Sequence, residues 1–118
     1  MNLPENVVKI RFMHWECVIM VHTYSNGRLA LVLKDADPMS MEPDITVATV
    51  NLPHEPMNPD EVAIKDYSEN EGMLDVLMQA DLIFIPNRYV PSGHVEIPVC
   101  KLDTKKFKFE ANSFVERL

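Results

Sequence analysis

The sequence predicts an α+β domain, a mostly antiparallel, curled sheet of about seven short strands packed on one helix, about residues 68–80. Three observations lead there. Short runs rich in β-branched and aromatic residues are separated by Pro, Gly, Asn and Asp. Several of these runs alternate apolar with polar residues, as strands do. One segment alone combines a helix-start signature with an apolar stripe at helical spacing.

Residues 6–12 read as the first strand, and residues 15–24 and 28–34 as a hairpin. Asn26-Gly27 lies between the latter two and is the favoured pair for a two-residue type I′ turn, in which both central residues take positive φ. That turn sets Tyr24 opposite Leu29, His22 opposite Leu31 and Met20 opposite Leu33, with Thr23 opposite Ala30 and Val21 opposite Val32. Both faces of the pair are largely apolar, so part of it is expected to be covered on both sides or to lie in a curled sheet. Core packing is the expectation for Trp15 and Tyr24.

Residues 35–44 form an acidic loop, because Pro38, Pro43 and three aspartates disfavour regular structure. Residues 45–51 read as a further strand. Residues 52–59 hold three prolines in eight positions, which leaves few amides for pairing and implies an ordered, extended connection. Residues 61–66 are a short strand with Val62 and Ile64 on one face. Ser68-Glu69-Asn70-Glu71 then matches a capping box, with the Ser68 hydroxyl and the Glu71 carboxylate each positioned to accept from the other's amide. Met73, Leu74, Val76, Leu77, Met78 and Ala80 supply the stripe. Residues 82–85 read as a buried strand or a continuation into one, ended by Pro86, and residues 87–93 as a loop. Residues 94–102 alternate, and Pro98 within them marks an edge strand. Residues 105–109 read as a last, charged edge strand, with a tail at 110–118 that frays or docks. All of this fits one domain over residues 1–118.

Charge narrows the function classes. The chain has 118 residues and a net charge of −7, but residues 35–81 hold twelve acids against Lys65 alone and carry −11, while the remainder carries +4. Such a segment repels phosphate, so direct nucleic-acid binding is disfavoured. No apolar run reaches the ~20 residues of a spanning helix, so no membrane role is expected. Glu5 and the absence of a basic, then apolar, leader point to a cytoplasmic chain. Cys17 and Cys100 read as reduced, buried thiols.

The chemical motifs are thin. His14 and Cys17 have a ligand-like spacing, and His94 and Cys100 supply a conceivable second pair, but four zinc ligands would require those segments to meet. His54-Glu55 and Asp60-Glu61 are acid/base candidates without a nucleophile. Ser92-Gly93-His94 lacks the setting of a nucleophile elbow. Gly27, Gly72 and Gly93 are too dispersed for a phosphate-cradling loop. No catalytic residue, metal ligand or cofactor is therefore expected. The methionines expected in loops, Met39, Met41 and Met57, suit an adaptable contact surface or cover for the core edge.

The runs Tyr24 to Leu31, Thr49 to Pro53 and Ile64 to Gly72 resemble an uncharacterised small-protein family, a domain of unknown function found in bacteria, plasmids, conjugative elements and phages. The likeness spans roughly residues 24–85, and Lys65-Asp66-Tyr67-Ser68-Glu69-Asn70-Glu71-Gly72 is its most specific part. The resemblance implies an accessory protein of a mobile element and carries no catalytic residues.

Together these readings predict a non-enzymatic protein-binding module of inhibitor or anti-defence type. Its acidic surface, formed by Asp60, Glu61, Asp66, Tyr67, Glu69, Glu71 and Asp75, would engage a protein with a basic surface. The alternative is a small-ligand or regulatory module with an apolar pocket between sheet and helix. A monomer or a homodimer formed through free strand edges suits either reading.

Overall fold

The computed structural model describes residues 8–41 and 43–105. Strands β1 (Val8–Phe12), β2 (Trp15–Thr23), β3 (Leu29–Asp35) and β4 (Asp44–Val47) form one four-stranded sheet in chain order. Strands β5 (Thr49–Val50), β6 (Glu61–Ile64), β7 (Arg88–Ser92) and β8 (Val95–Lys101) form a second, in the order β5-β6-β8-β7. Every strand pair is antiparallel. A 3-10 turn at Ser68–Asn70 leads into a short helix, α1 (Met73–Gln79). The α+β class and the antiparallel pairing agree with expectation.

Two sheets replace the single curled one, and the reason lies at Ala48. The expected strand 45–51 breaks there into β4 and β5. The Ala48 N–H donates to Leu31 O at 2.8 Å in the first sheet, while its carbonyl accepts the Lys65 N–H at 2.8 Å beside the second. One residue pinned by both sheets carries the chain across. Thr49 adds to the seam, with its hydroxyl 2.8 Å from that of Tyr24, a buried ring as expected.

The central core fills the space between the sheets and the helix. Ile19, Leu31 and Leu33 come from the first sheet, Val62, Ile64 and Cys100 from the second, and Met73 and Leu77 from α1. Each such side chain contributes on the order of 1.5–3 kcal/mol by leaving water. Val62 and Ile64 share this face as expected. A second cluster (Ala63, Ile97 and Val99, packed with Leu52, Met57 and Val90) covers the other face of the second sheet. That double coverage explains why all four residues of β6 are buried. The β2–β3 pair is likewise buried on both faces, since Val18, His22, Ala30 and Val32 are buried as well as Cys17, Ile19, Leu31 and Leu33.

Several local expectations are corrected. The β2–β3 register pairs Thr23 with Leu29, His22 with Ala30 and Val21 with Leu31, one residue away from a type I′ hairpin. The loop has three residues rather than two: Gly27 N–H donates to Tyr24 O, Tyr24 N–H donates to Arg28 O, and Gly27 alone has positive φ, at 87°. This is the three-residue hairpin in which glycine takes the left-handed position, and Asn26 does not need it.

Residues 82–85 are not a strand; Ile83 makes one bridge, to Leu102. The outer strand is β7, within the expected loop, paired from Arg88↔Val99 to Ser92↔Val95. Its turn, Gly93-His94, has positive φ at glycine, so Ser92-Gly93-His94 is a hairpin turn. Pro98 does not mark an edge, because β8 lies between β6 and β7. The β6 pairing stops at Ala63↔Val99, one residue short of Pro98, whose nitrogen faces β6 and has no hydrogen to donate. The capping box does not form. Ser68 takes a φ of 55°, no side chain caps the 3-10 turn, and α1 starts only after Gly72. Of the expected strand 105–109, residues 106–109 lie outside the described residues, as do residues 6 and 7 of the first strand and the tail 110–118.

Candidate functional site

The proline-rich connection, residues 52–59, has few amides to offer a sheet, so side chains hold it in place. Glu61, at the start of β6, is 6% exposed. Its Oε1 accepts the Asn58 N–H at 2.8 Å, and its Oε2 accepts from Asn87 Nδ2 at 2.7 Å and from Arg88 Nη1 at 3.1 Å. Arg88 reaches on to Glu55 Oε2 through Nε at 3.3 Å and to Pro56 O through Nη2 at 2.7 Å. A planar guanidinium suits this task, because its donors fan out in a fixed fork. Burial pushes the Glu61 carboxyl up, but the Asn58 amide, Asn87 and Arg88 outweigh that and hold it below the ordinary glutamate value. Glu61 is thus a carboxylate with its lone pairs engaged, which suits it to bracing and not to taking a proton.

Beside this clasp an open cleft of about 560 Å³ is walled by Asn58, Pro59, Asp60, Glu61, Asn87 and Lys101. Asp60 and Lys101 face each other across 3.6 Å. The cleft is polar and lies at the β6–β8 end of the second sheet. The space between sheets and helix is occupied by the central core, with Leu31, Leu33, Met73 and Leu77 all at 0% exposure.

Folding also redistributes the acidic segment. Bases from outside residues 35–81 turn back onto it: Lys34 pairs with Asp44, Arg88 with Glu55 and Glu61, and Lys101 with Asp60. Asp35 and Asp37 accept backbone amides within their own loop. Asp66 Oδ1 accepts the N–H of Gly72 at 3.1 Å and of Leu74 at 2.9 Å, so it caps α1 from a distance. Glu69 pairs with Lys65, whose ammonium also lies 5.6 Å from the centre of the Tyr67 ring. That hydrogen bond raises the Lys65 pKa and lowers the Glu69 pKa. Glu71, Asp75 and Asp81 are exposed, and among the described residues their carboxylates have no partner.

Of the seven residues expected to form a partner surface, then, Asp60, Glu61, Asp66 and Glu69 are engaged within the fold. Tyr67 is half-buried beside Lys65, while Glu71 and Asp75 stand free on the helical side. Arg88, Asn87 and Asn58 were not anticipated. Arg88 lies 27 residues from Glu61 and 33 from Glu55, so no local pattern announces their meeting.

Three of the six exposed large apolar residues among the described ones lie in one stretch. Phe84 is 52% exposed, Ile85 73% and Tyr89 54%. The Phe84 N–H donates to Lys101 O and the Asn87 N–H to Val99 O, so this stretch follows the outer side of β8 and continues into β7. Met39 and Met41 protrude from the acidic loop.

The cysteine–histidine set is not brought together as ligands. Cys17 and Cys100 are free and buried in the central core, and His14 and His94 are exposed at hairpin turns, His14 stacked on Trp15 at 3.9 Å. Burial pushes the Cys17 thiol up, and the Cys100 thiol up to about 12. Among the described residues no group of three or more His, Cys, Asp or Glu is placed to hold a metal ion, and no helix is long and apolar enough to cross a membrane. No family model, no curated protein and no solved structure matches the chain.

Proposed function

We propose that the chain is a non-enzymatic protein-binding module that engages a basic surface on its partner through the acidic helical side. The carrying observation is that Glu71, Asp75 and Asp81 keep exposed carboxylates with no partner among the described residues, while most other acids of the segment are tied up internally. Three of the groups from which catalysis could be built are engaged or buried. Glu61 is held ionised, and both thiols are buried and held protonated. The resemblance to a mobile-element family supports an inhibitor or anti-defence role for such a module within the cytoplasm.

Charge neutralisation tests this directly. Glu71→Gln, Asp75→Asn and Asp81→Asn remove no hydrogen bond within the described residues, so the combined variant is expected to fold as the wild type does. Partner capture should fall for that variant and should weaken as salt rises, since exposed charges are screened beyond about 8–10 Å near physiological ionic strength. A partner held equally well by the neutralised protein, and equally at high salt, would overturn the reading.

The polar cleft favours a second reading, a small-ligand module. Its test is a titration with small polar metabolites, followed through the amide signals of Asn87 and Lys101; shifts confined to that cleft would favour it.

A further inference from the structure

The outer strand of the second sheet carries features that the acidic helical side does not use. Among the described residues β7 is an edge strand. Its register sets Tyr89 opposite Pro98 and Pro91 opposite Glu96. Proline has no N–H, so Tyr89 and Pro98 cannot exchange both bonds of a hydrogen-bonded pair. Theirs is the other kind, in which the backbone groups of each residue point away from its partner. Pro91↔Glu96, two positions along, is of the same kind. The Tyr89 N–H, the Tyr89 carbonyl and the Pro91 carbonyl therefore face outward, and among the described residues nothing pairs with them. Along the same stretch of chain, Tyr89, Phe84 and Ile85 carry exposed large apolar side chains.

We infer that the β7 edge is a strand-addition site for an extended segment of the partner, apolar at its centre and bearing Lys or Arg at its ends. This rests on the protein-binding reading and adds a second contact to it. The residue opposite Tyr89 exchanges both N–H···O bonds with it, and a residue two positions away donates to the Pro91 carbonyl. Pro91 returns no N–H, so the addition is short and depends on side-chain packing against Tyr89, Phe84 and Ile85. The charges flanking the stretch are Asp81, before Phe84, and Glu96 and Lys101, on the neighbouring strand; Lys101 is offset by its pairing with Asp60, and the Arg88 guanidinium is turned inward onto Glu55 and Glu61. A basic segment complements that rim.

A second copy of the chain fits less well. Antiparallel self-pairing about Tyr89 places Asn87 of each copy against Pro91 of the other. The Asn87 N–H is already committed to Val99 O, so the Pro91 carbonyl gains no donor. The same arrangement brings the Asp81 end of one copy toward the Glu96 end of the other.

Random peptides displayed on phage and selected against the full chain provide the probe. Enriched peptides should alternate apolar residues and carry Lys or Arg near their ends. On adding a synthetic version, hydrogen exchange of the Tyr89 amide should slow. Tyr89→Pro removes the outward N–H at a position where an edge tolerates proline, and it should weaken binding by about tenfold or more, the effect of one or two lost backbone bonds plus a ring. Tyr89→Ala keeps the amide and should lose less. The Glu71→Gln, Asp75→Asn protein, with Asp81 left in place, should still bind the peptide, which separates this site from the acidic side. The inference is overturned if no peptide is enriched or if peptide leaves the Tyr89 amide unprotected. Equal binding by a folded Tyr89→Pro protein would overturn it, as would a wild-type dimer in sedimentation whose Tyr89 amide is protected before peptide is added.

Discussion

Asn70 shows how much one side chain can hold. It is 0% exposed, its Oδ1 accepts the Thr46 hydroxyl at 2.7 Å, and its Nδ2 donates to Val47 O at 2.7 Å. It stitches the 3-10 turn to β4, two segments separated by the whole proline-rich connection. Asn70→Ala leaves the Thr46 hydroxyl and the Val47 carbonyl without their partner in a dry place. Such a loss costs about 1–3 kcal/mol, so the urea midpoint should fall while the slope of the transition stays the same. Asn70→Asp keeps an acceptor for Thr46 but loses the donor to Val47 and buries a charge, so it should be at least as damaging. An unchanged midpoint for both variants would show that water replaces the amide. From the sequence alone Asn70 is an unremarkable interior position of a capping box. Its importance comes from a partner strand 23–24 residues away, which no local pattern encodes.

At the scale of the element, the helix was legible and its start was not. The stripe from Met73 to Leu77 reflects a physical period, and both residues are buried as the stripe requires. The cap depended on which of several oxygens reaches the first turn, a contest settled by the approach of β6. Asp66 leaves that strand pointing at the Gly72 and Leu74 amides, and Gly72, in the left-handed region at φ 94°, turns the chain so that both amides face it. Asp66→Ala should therefore cost about 1 kcal/mol, a typical capping loss, whereas Ser68→Ala should change thermal stability little. The reverse order in a melting comparison would restore the capping box. The β2–β3 hairpin teaches the same lesson. Asn26-Gly27 correctly marked a turn, but the two-residue and three-residue loops share that dipeptide and differ by one register step. Burial could not arbitrate, because the strands are apolar on both faces. Ala48 was invisible for a related reason: a continuous β-type run reads identically whether it serves one sheet or crosses between two.

At the scale of the molecule, five of the twelve acids in residues 35–81 are paired in space with Lys34, Lys65, Arg88 and Lys101. The clasp of Glu61 and Arg88 is the buried member of that set, and its pH dependence can be worked out. Glu61 has a folded-state pKa below its ordinary 4.5, so the folded protein prefers the carboxylate more strongly than the unfolded chain does. The stabilisation is complete above the unfolded value and is lost as pH falls through the lower, folded one. Arg88 stays charged throughout and adds no slope. Glu61→Gln removes the titration and leaves Arg88 with a neutral acceptor. At neutral pH this should cost about 1–3 kcal/mol, the loss of charged hydrogen bonds to a buried carboxylate, since the Arg88 side chain is a third exposed and partly screened by solvent. The gap in unfolding free energy between wild type and Glu61→Gln should then narrow steadily as pH is lowered below the ordinary glutamate value, because protonation makes the wild type resemble the variant. Glu69, also lowered by its partner Lys65, is exposed, and screening makes its contribution small. Repeating the series at high salt should mute that surface term and leave the Glu61 gap in place. A gap that stays constant from neutral to strongly acidic pH would mean that the proline-rich connection is held by packing of Leu52 and Met57 on the second sheet, with Glu61 a passenger.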